Sequence, residues 1–114
     1  DSAPHITIPL PGQDTILSLN LQQPLIIEAS DDYGLDRIEL VAYRVTAFGE
    51  RNEPVAQSID LGGTRAALAR PLLDLTTWGL LPGDTVRYFA RAIDNSPAEQ
   101  ISTTREYVLF MPIV

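Results

Sequence analysis

The feature that most restricts this chain is the shortness of its apolar runs. They are rich in Val, Ile, Leu and Tyr and are separated by Pro, Gly, Asp and Asn, a strand-and-turn rhythm rather than a helical one. The stretch TVRYFARAID (85–94) alternates cleanly, with Val86, Tyr88, Ala90 and Ala92 on one face and Arg87, Phe89 and Arg91 on the other. QPLIIEAS does the same, placing Leu25, Ile27 and Ala29 opposite Glu28 and Ser30. DRIELVAYRVTAF is apolar on both faces: Ile38, Leu40 and Ala42 share one, Val41, Tyr43 and Val45 the other. Either both faces are partly covered, or a bulge switches the inward side midway.

The remaining segments fit the same rhythm. PHITIPLPGQ reads as a first strand that Pro4, Pro9 and Pro11 confine to an edge, with TILSLNL its continuation after a kink. GERNEP is a polar loop, and VAQSIDL is a strand closed by Gly62 and Gly63. TRAALARPLLDL is a strand too, since Pro71 would break a helix there. TTWGLLPGD is a compact corner, NSPAEQ a turn and STTREYVLFM the last strand. Seven to eight short strands at this spacing predict an antiparallel immunoglobulin-like β-sandwich. At 114 residues it is a single domain with a core of useful size.

Composition narrows the function. No apolar run approaches the length of a membrane helix. A net charge of −7 repels phosphate backbones and anionic lipid heads, which argues against nucleic-acid and direct lipid binding. It would favour a basic patch on a protein partner, or cations, or simply keep a small domain dispersed. The absence of Cys removes disulfides, zinc-thiolate sites and thiol catalysis together. The chain begins at Asp1 without a signal peptide, which reads as a processed terminus or a fragment of a longer polypeptide.

LLPGDTVRYFARAIDNSP (80–97) resembles the corner of fibronectin type III and related immunoglobulin-like modules. Leu80, Pro82, Gly83 and Tyr88 match in kind, and the resemblance implies a tyrosine corner. In that corner Tyr88 packs inward and its hydroxyl bonds backbone a few residues upstream. Two departures are visible. The interval from Pro82 to Tyr88 is two residues longer than in fibronectin modules, and the second strand lacks their core Trp, so Trp78 is expected to plug the sandwich end instead. The pair EASDDYGLDRIELVAYRV and PGDTVRYFARAIDN, in that order, resembles the immunoglobulin-like domain of large bacterial envelope proteins of the DUF4175 type, from about Ile6 to Val108. The resemblance implies an extracytoplasmic module of a membrane-anchored protein. Such modules are usually followed by long helices, which this sequence does not contain, in keeping with a fragment.

In a sandwich of this kind the loop after the second strand and the loop before the last lie at one end. Asp31, Asp32, Asp36, Asp94, Asn95 and Glu99 would converge there. Two readings compete. Hard oxygens in that number could hold Ca²⁺, as in an adhesion or spacer repeat; ARAIDNSP is similar to the strand-end calcium residues of cadherin repeats, whose acidic linker is absent here. The plainer reading makes Asp31 or Asp32 and then Asp94 and Asn95 acceptors for backbone N–H groups in Asx-type turns, with Gly34 supplying a positive φ.

Catalytic alternatives are poorly supplied. Paired carboxylates need a sugar-sized cleft, which loops at the tip of a small sandwich do not make. The sole histidine, His5, lies at the start of an edge strand, and LGGT lacks the spacing and Lys of a phosphate loop. Arg87, Arg91 and Arg105 form a stripe expected to pair with neighbouring carboxylates. YVLFMPIV is more apolar than an exposed end should be, so Phe110, Met111, Ile113 and Val114, with Phe89, are the candidate partner contacts. The expectation is a non-catalytic docking module without cofactor, bound to a protein partner in a larger membrane-associated assembly on the periplasmic side. The module type suggests one such host, a bacterial photosynthetic reaction-centre and light-harvesting complex braced by an extrinsic subunit.

Overall fold

A computed structural model describes residues 2–112. The longest ladder pairs the doubly apolar segment β5 (Leu35–Val45) with the cleanly alternating β9 (Thr85–Asp94), antiparallel. Their inward faces meet as Ile38 beside Ala92, Leu40 beside Ala90 and Ala42 beside Tyr88. Small residues on one strand face larger ones on the other, which lets the side chains interdigitate between the layers. Around this pair the order is β2 (Thr15–Ile16), β11 (Tyr107–Phe110), β9, β5 and β6 (Val55–Asp60), with β10 (Ile101–Thr103) also on β9. The opposing layer has β1 (His5–Leu10), β4 (Ile26–Ser30) and β7 (Ala66–Ala69), extended at one end by β3 (Gln22–Pro24) paired with β8 (Leu72–Asp74). The protein is an all-β sandwich of predominantly antiparallel sheets.

The core between the layers holds Ile6, Ile8, Leu25, Ile27 and Ala29 from one side and Ile38, Leu40, Val86, Tyr88, Ala90 and Leu109 from the other. Both predicted faces of QPLIIEAS are observed, with Ile27 and Ala29 buried and Glu28 and Ser30 exposed. The doubly apolar β5 resolves to covered faces, not to a midway switch: its register shift falls at its start, between Leu35 and Arg37. Val41, Tyr43 and Ile93 are buried outside the central cluster, on the outer face of the larger layer. Val41 lies between Ala56 and Phe89 across the sheet, and Arg51 sits 5.5 Å from the Tyr43 ring centroid. Long cationic stems and cross-strand neighbours thus roof residues that no second layer reaches.

Three segments depart from the expected course. TILSLNL does not continue β1; after the turn at Pro11–Gly12, β2 crosses to the other layer and pairs parallel with β11. TRAALARPLLDL is two strands, β7 and β8, broken at Arg70–Pro71, where Pro71 offers only its carbonyl, to Leu25 N–H at 2.9 Å. STTREYVLFM is likewise split. Thr104 ties the gap to Ala90, accepting Ala90 N–H on Oγ1 at 3.1 Å while its own N–H donates to the Ala90 carbonyl at 2.8 Å.

The fibronectin-like corner is present in part. Pro82 and Gly83 occupy the centre of a turn closed by Asp84 N–H donating to Leu81 O at 3.0 Å, with Gly83 at φ +89. A Cβ there would stand 2.9 Å from the Ala47 Cβ. Trp78 packs against the core margin at this corner. Tyr88 is fully buried and stacks on Tyr107 with centroids 5.6 Å apart. Its hydroxyl, expected to bond backbone upstream, has no partner among the described residues. The corner is closed instead by Arg44, whose Nη2 meets the buried Asp84 carboxylate at 2.7 Å, while the same carboxylate accepts Leu81 N–H at 2.8 Å.

Candidate functional site

Asp31 and Asp32, in the loop after β4, and Asp94 and Asn95, at the end of β9, do come together at one end, but as builders of turns. Asp31 Oδ2 accepts the N–H groups of Tyr33 at 3.0 Å and Gly34 at 2.9 Å, the geometry of an Asx turn. Gly34 has φ +133, and a Cβ there would come within 2.6 Å of the Gly63 carbonyl oxygen. Only glycine fits where these two loops touch. Asp94, 2% exposed, spends one oxygen on three donors: Ser96 N–H, Ser96 Oγ–H and Gln100 N–H. Asn95 N–H donates to Gly34 O at 2.8 Å, locking the first loop to the last. Asp32 receives a long contact from Ser2 Oγ at 3.5 Å, Asp36 pairs with Arg37 at 2.7 Å, and Glu99 is exposed. Among the described residues no three carboxylate or imidazole groups gather closely enough to hold a metal ion.

His5, Asp31, Asp32 and Arg65 line one open polar depression at this end. His5 is exposed there, and no hydrogen bond joins it to a carboxylate or hydroxyl among the described residues. The arginine stripe pairs as expected. Arg91 Nε meets Glu39 at 2.7 Å and stacks 5.8 Å over Phe89; Arg87 lies 3.9 Å from Glu106; Arg105 reaches Asp14 at 3.4 Å and covers Tyr107 at 3.8 Å. Arg91, and then Arg37, hold the Glu39 carboxyl below its ordinary range. Burial and the hydrogen bond to Glu106 push the Tyr43 hydroxyl up, since its ionised form would lose both solvent and that acceptor.

The opposite end, where β5 and β11 finish and β9 begins, has another character. Leu10, Ile16, Leu19, Phe48, Leu81 and Phe110 are all large, apolar and exposed around it. Phe48, at the tip of the loop after β5, is 94% exposed, and Leu19 is 73% exposed. Ile16, Leu19, Phe110, Met111 and Pro112 line a groove of about 740 Å³ beside the parallel β2–β11 pair. Phe48, Leu81 and Pro82 line a second depression next to the Arg44–Asp84 pair. This is where two of the candidate partner contacts, Phe110 and Met111, come together. Phe89 does not join them. It sits under Arg91 in mid-sheet, four residues along β9 from the Thr85 that pairs with Phe110, or about 13 Å at strand rise. Ile113 and Val114 lie outside the described residues.

Sequence reasoning missed Ile16, Leu19, Phe48 and Leu81. A signal existed for one of them: TAFGE places an aromatic residue at the tip of an otherwise polar loop, where nothing could bury it. No protein family's sequence profile matches this chain, and no curated protein matches it.

Proposed function

We propose that this domain is a non-catalytic docking module, extrinsic to a membrane on the periplasmic side of a bacterial envelope, that seats its Phe110 end on a larger membrane-protein assembly. The observation that carries the reading is the gathering of Ile16, Leu19, Phe48, Leu81 and Phe110 at that end. Exposed apolar side chains lining two depressions at one end of a domain are the kind of surface that marks interaction sites. Each such side chain, once covered, contributes roughly 1.5–3 kcal/mol before the costs of association are subtracted. The neighbouring carboxylates Asp14 and Glu50 would form the polar rim and favour a basic border on the partner. The envelope setting comes from the resemblance to DUF4175-type modules. An extrinsic subunit of a photosynthetic reaction-centre complex is the host this reading would test first.

The test is site-specific photocrosslinking in intact membranes, with benzoylphenylalanine at Phe48, Ile16 or Phe110 and a control at Tyr33 on the opposite end. The expected result is one discrete adduct with an integral membrane protein from the first three positions and none from Tyr33. Equal labelling from both ends, or none from either, would sink the reading.

A further inference from the structure

Two strands of this sandwich have open edges, β6 in the larger layer and β7 in the smaller. The other edges are blunted. β1 carries Pro9 and a register irregularity between Thr7 and Leu10, β2 is two residues long, and β3, β8 and β10 are three residues each. β6 and β7 have no such protection, and five of the six residues of β6 are exposed.

The hydrogen bonds fix which backbone groups are free. Arg65 O accepts from Asp31 N–H and Pro71 O from Leu25 N–H, so the odd residues of β7 turn toward their neighbours in the layer. By strand alternation, Ala66 and Leu68 turn their N–H and C=O groups to the open edge. On β6, Leu61 N–H donates to Asp36 O, so Ala56 and Ser58 face outward in the same way. The turn 61–65 joins β6 to β7 directly, which places both open edges on one side of the sandwich.

The charges bracketing these edges are opposite. Arg37, Arg44, Arg87, Arg91 and Arg105 each meet a carboxylate, and Arg51 lies over Tyr43. Arg65 and Arg70, exposed at the two ends of β7, meet neither among the described residues. β6 is bracketed by Glu53 and Asp60, which make no ion pair among the described residues either. Asp60 and Arg65 lie at the same end of their strands, and so do Glu53 and Arg70.

We propose that the second copy of this chain is what covers these edges: two copies associate about a two-fold axis parallel to the strands, β6 of each pairing antiparallel with β7 of the other. A register with Ser58 opposite the partner's Ala66 and Ala56 opposite the partner's Leu68 joins free backbone groups to free backbone groups. It keeps the pleat in phase, because Ala56 and Leu68 both lie on the outer faces of their layers. The partner's Arg65 and Arg70 then fall opposite Ile59 and Pro54, each one residue from an acid and within a guanidinium's reach. The rotation carries each layer into line with the other layer of its partner, so both sheets run through the dimer, and an isologous contact of this kind closes on itself. Pairing β7 with β7 instead would leave like charges together and the acids of β6 unused.

The experiment is sedimentation velocity across about 10 μM to about 1 mM, a range that brackets a weak interface of modest area. A concentration-dependent dimer is expected. Leu68→Pro removes an N–H that faces the open edge and breaks no ladder bond within the monomer, so it should weaken dimerisation at least tenfold; circular dichroism checks its fold, and Leu68→Lys replaces it should it unfold. The paired reversals Arg65→Glu with Arg70→Glu, and Glu53→Arg with Asp60→Arg, should each leave a monomer alone and restore the dimer when mixed. A monomer at the highest concentration, undiminished dimer in the Leu68 variant, or a mixture that fails to associate overturns the proposal.

Discussion

Removing the Tyr88 hydroxyl should not harm this protein, and Tyr88→Phe is therefore the sharpest check on how the corner is built. In a fibronectin-type corner the same change deletes a buried hydrogen bond and costs roughly 0.5–1.5 kcal/mol. Here the ring is fully buried, and the hydroxyl has no partner among the described residues. Burial moves its ionisation well above the ordinary tyrosine range, the mark of a polar atom with little to solvate its charged form. An unpaired buried hydroxyl costs about 1–3 kcal/mol in desolvation, which the phenylalanine would not incur. The space vacated is about one oxygen atom, worth a few tenths of a kcal/mol as cavity. The balance is a gain of about 1 kcal/mol, or a rise in Tm of about 4 °C for a domain of this length. Urea unfolding followed by fluorescence reports it, because Trp78 is the single tryptophan and packs on the core margin. A loss of about 1 kcal/mol or more at unchanged m-value would refute the argument and show that the hydroxyl has a partner after all.

Asp84→Ala should be among the most damaging single changes, about 3 kcal/mol by urea unfolding, since it strands the Arg44 guanidinium and frees Leu81 N–H together. Stability should fall with acid through Glu39. Its folded pKa is lowered, so its contribution is whole above the unfolded value near 4.3 and is lost as pH drops through the folded one. Glu39→Gln should flatten that part of a Tm-against-pH curve, and an unchanged slope would refute the assignment. Adding millimolar Ca²⁺ and then chelator should move Tm by less than about 1 °C, because a ligand bound only to the folded state must raise its stability and the Asp31 and Asp94 carboxylates are already engaged. A large stabilisation would restore the adhesion-repeat reading.

Much of this architecture is legible in the sequence because the period-two pattern is local. TVRYFARAID and QPLIIEAS each state which residues turn inward, and the structure agrees at Tyr88, Ala90, Ile27 and Ala29. What escaped is decided between segments. Nothing in TIL announces that two residues will cross to the other layer and lie parallel to β11, because that pairing depends on where β11 already is. The two apolar faces of β5 were readable, but which explanation applied depended on Phe89, Ala56 and the arginine stems arriving from other strands. The acids were legible as turn-formers because an Asx turn needs only its own next few residues. The apolar end was not, since Leu19, Phe48 and Leu81 come from separate loops that reach one end only once the sandwich is closed.

The parallel alignment of β2 with β11 also determines how the domain answers a pull. Tension applied between the two ends of the chain drags β2 and β11 in opposite directions along their common axis. Leu17 N–H to Phe110 O and the neighbouring bonds of that pair are then loaded side by side, and they must yield as a group instead of opening one after another. Force from the N-terminal side reaches β2 only through β1, so this seam carries the load once β1 has peeled from β4.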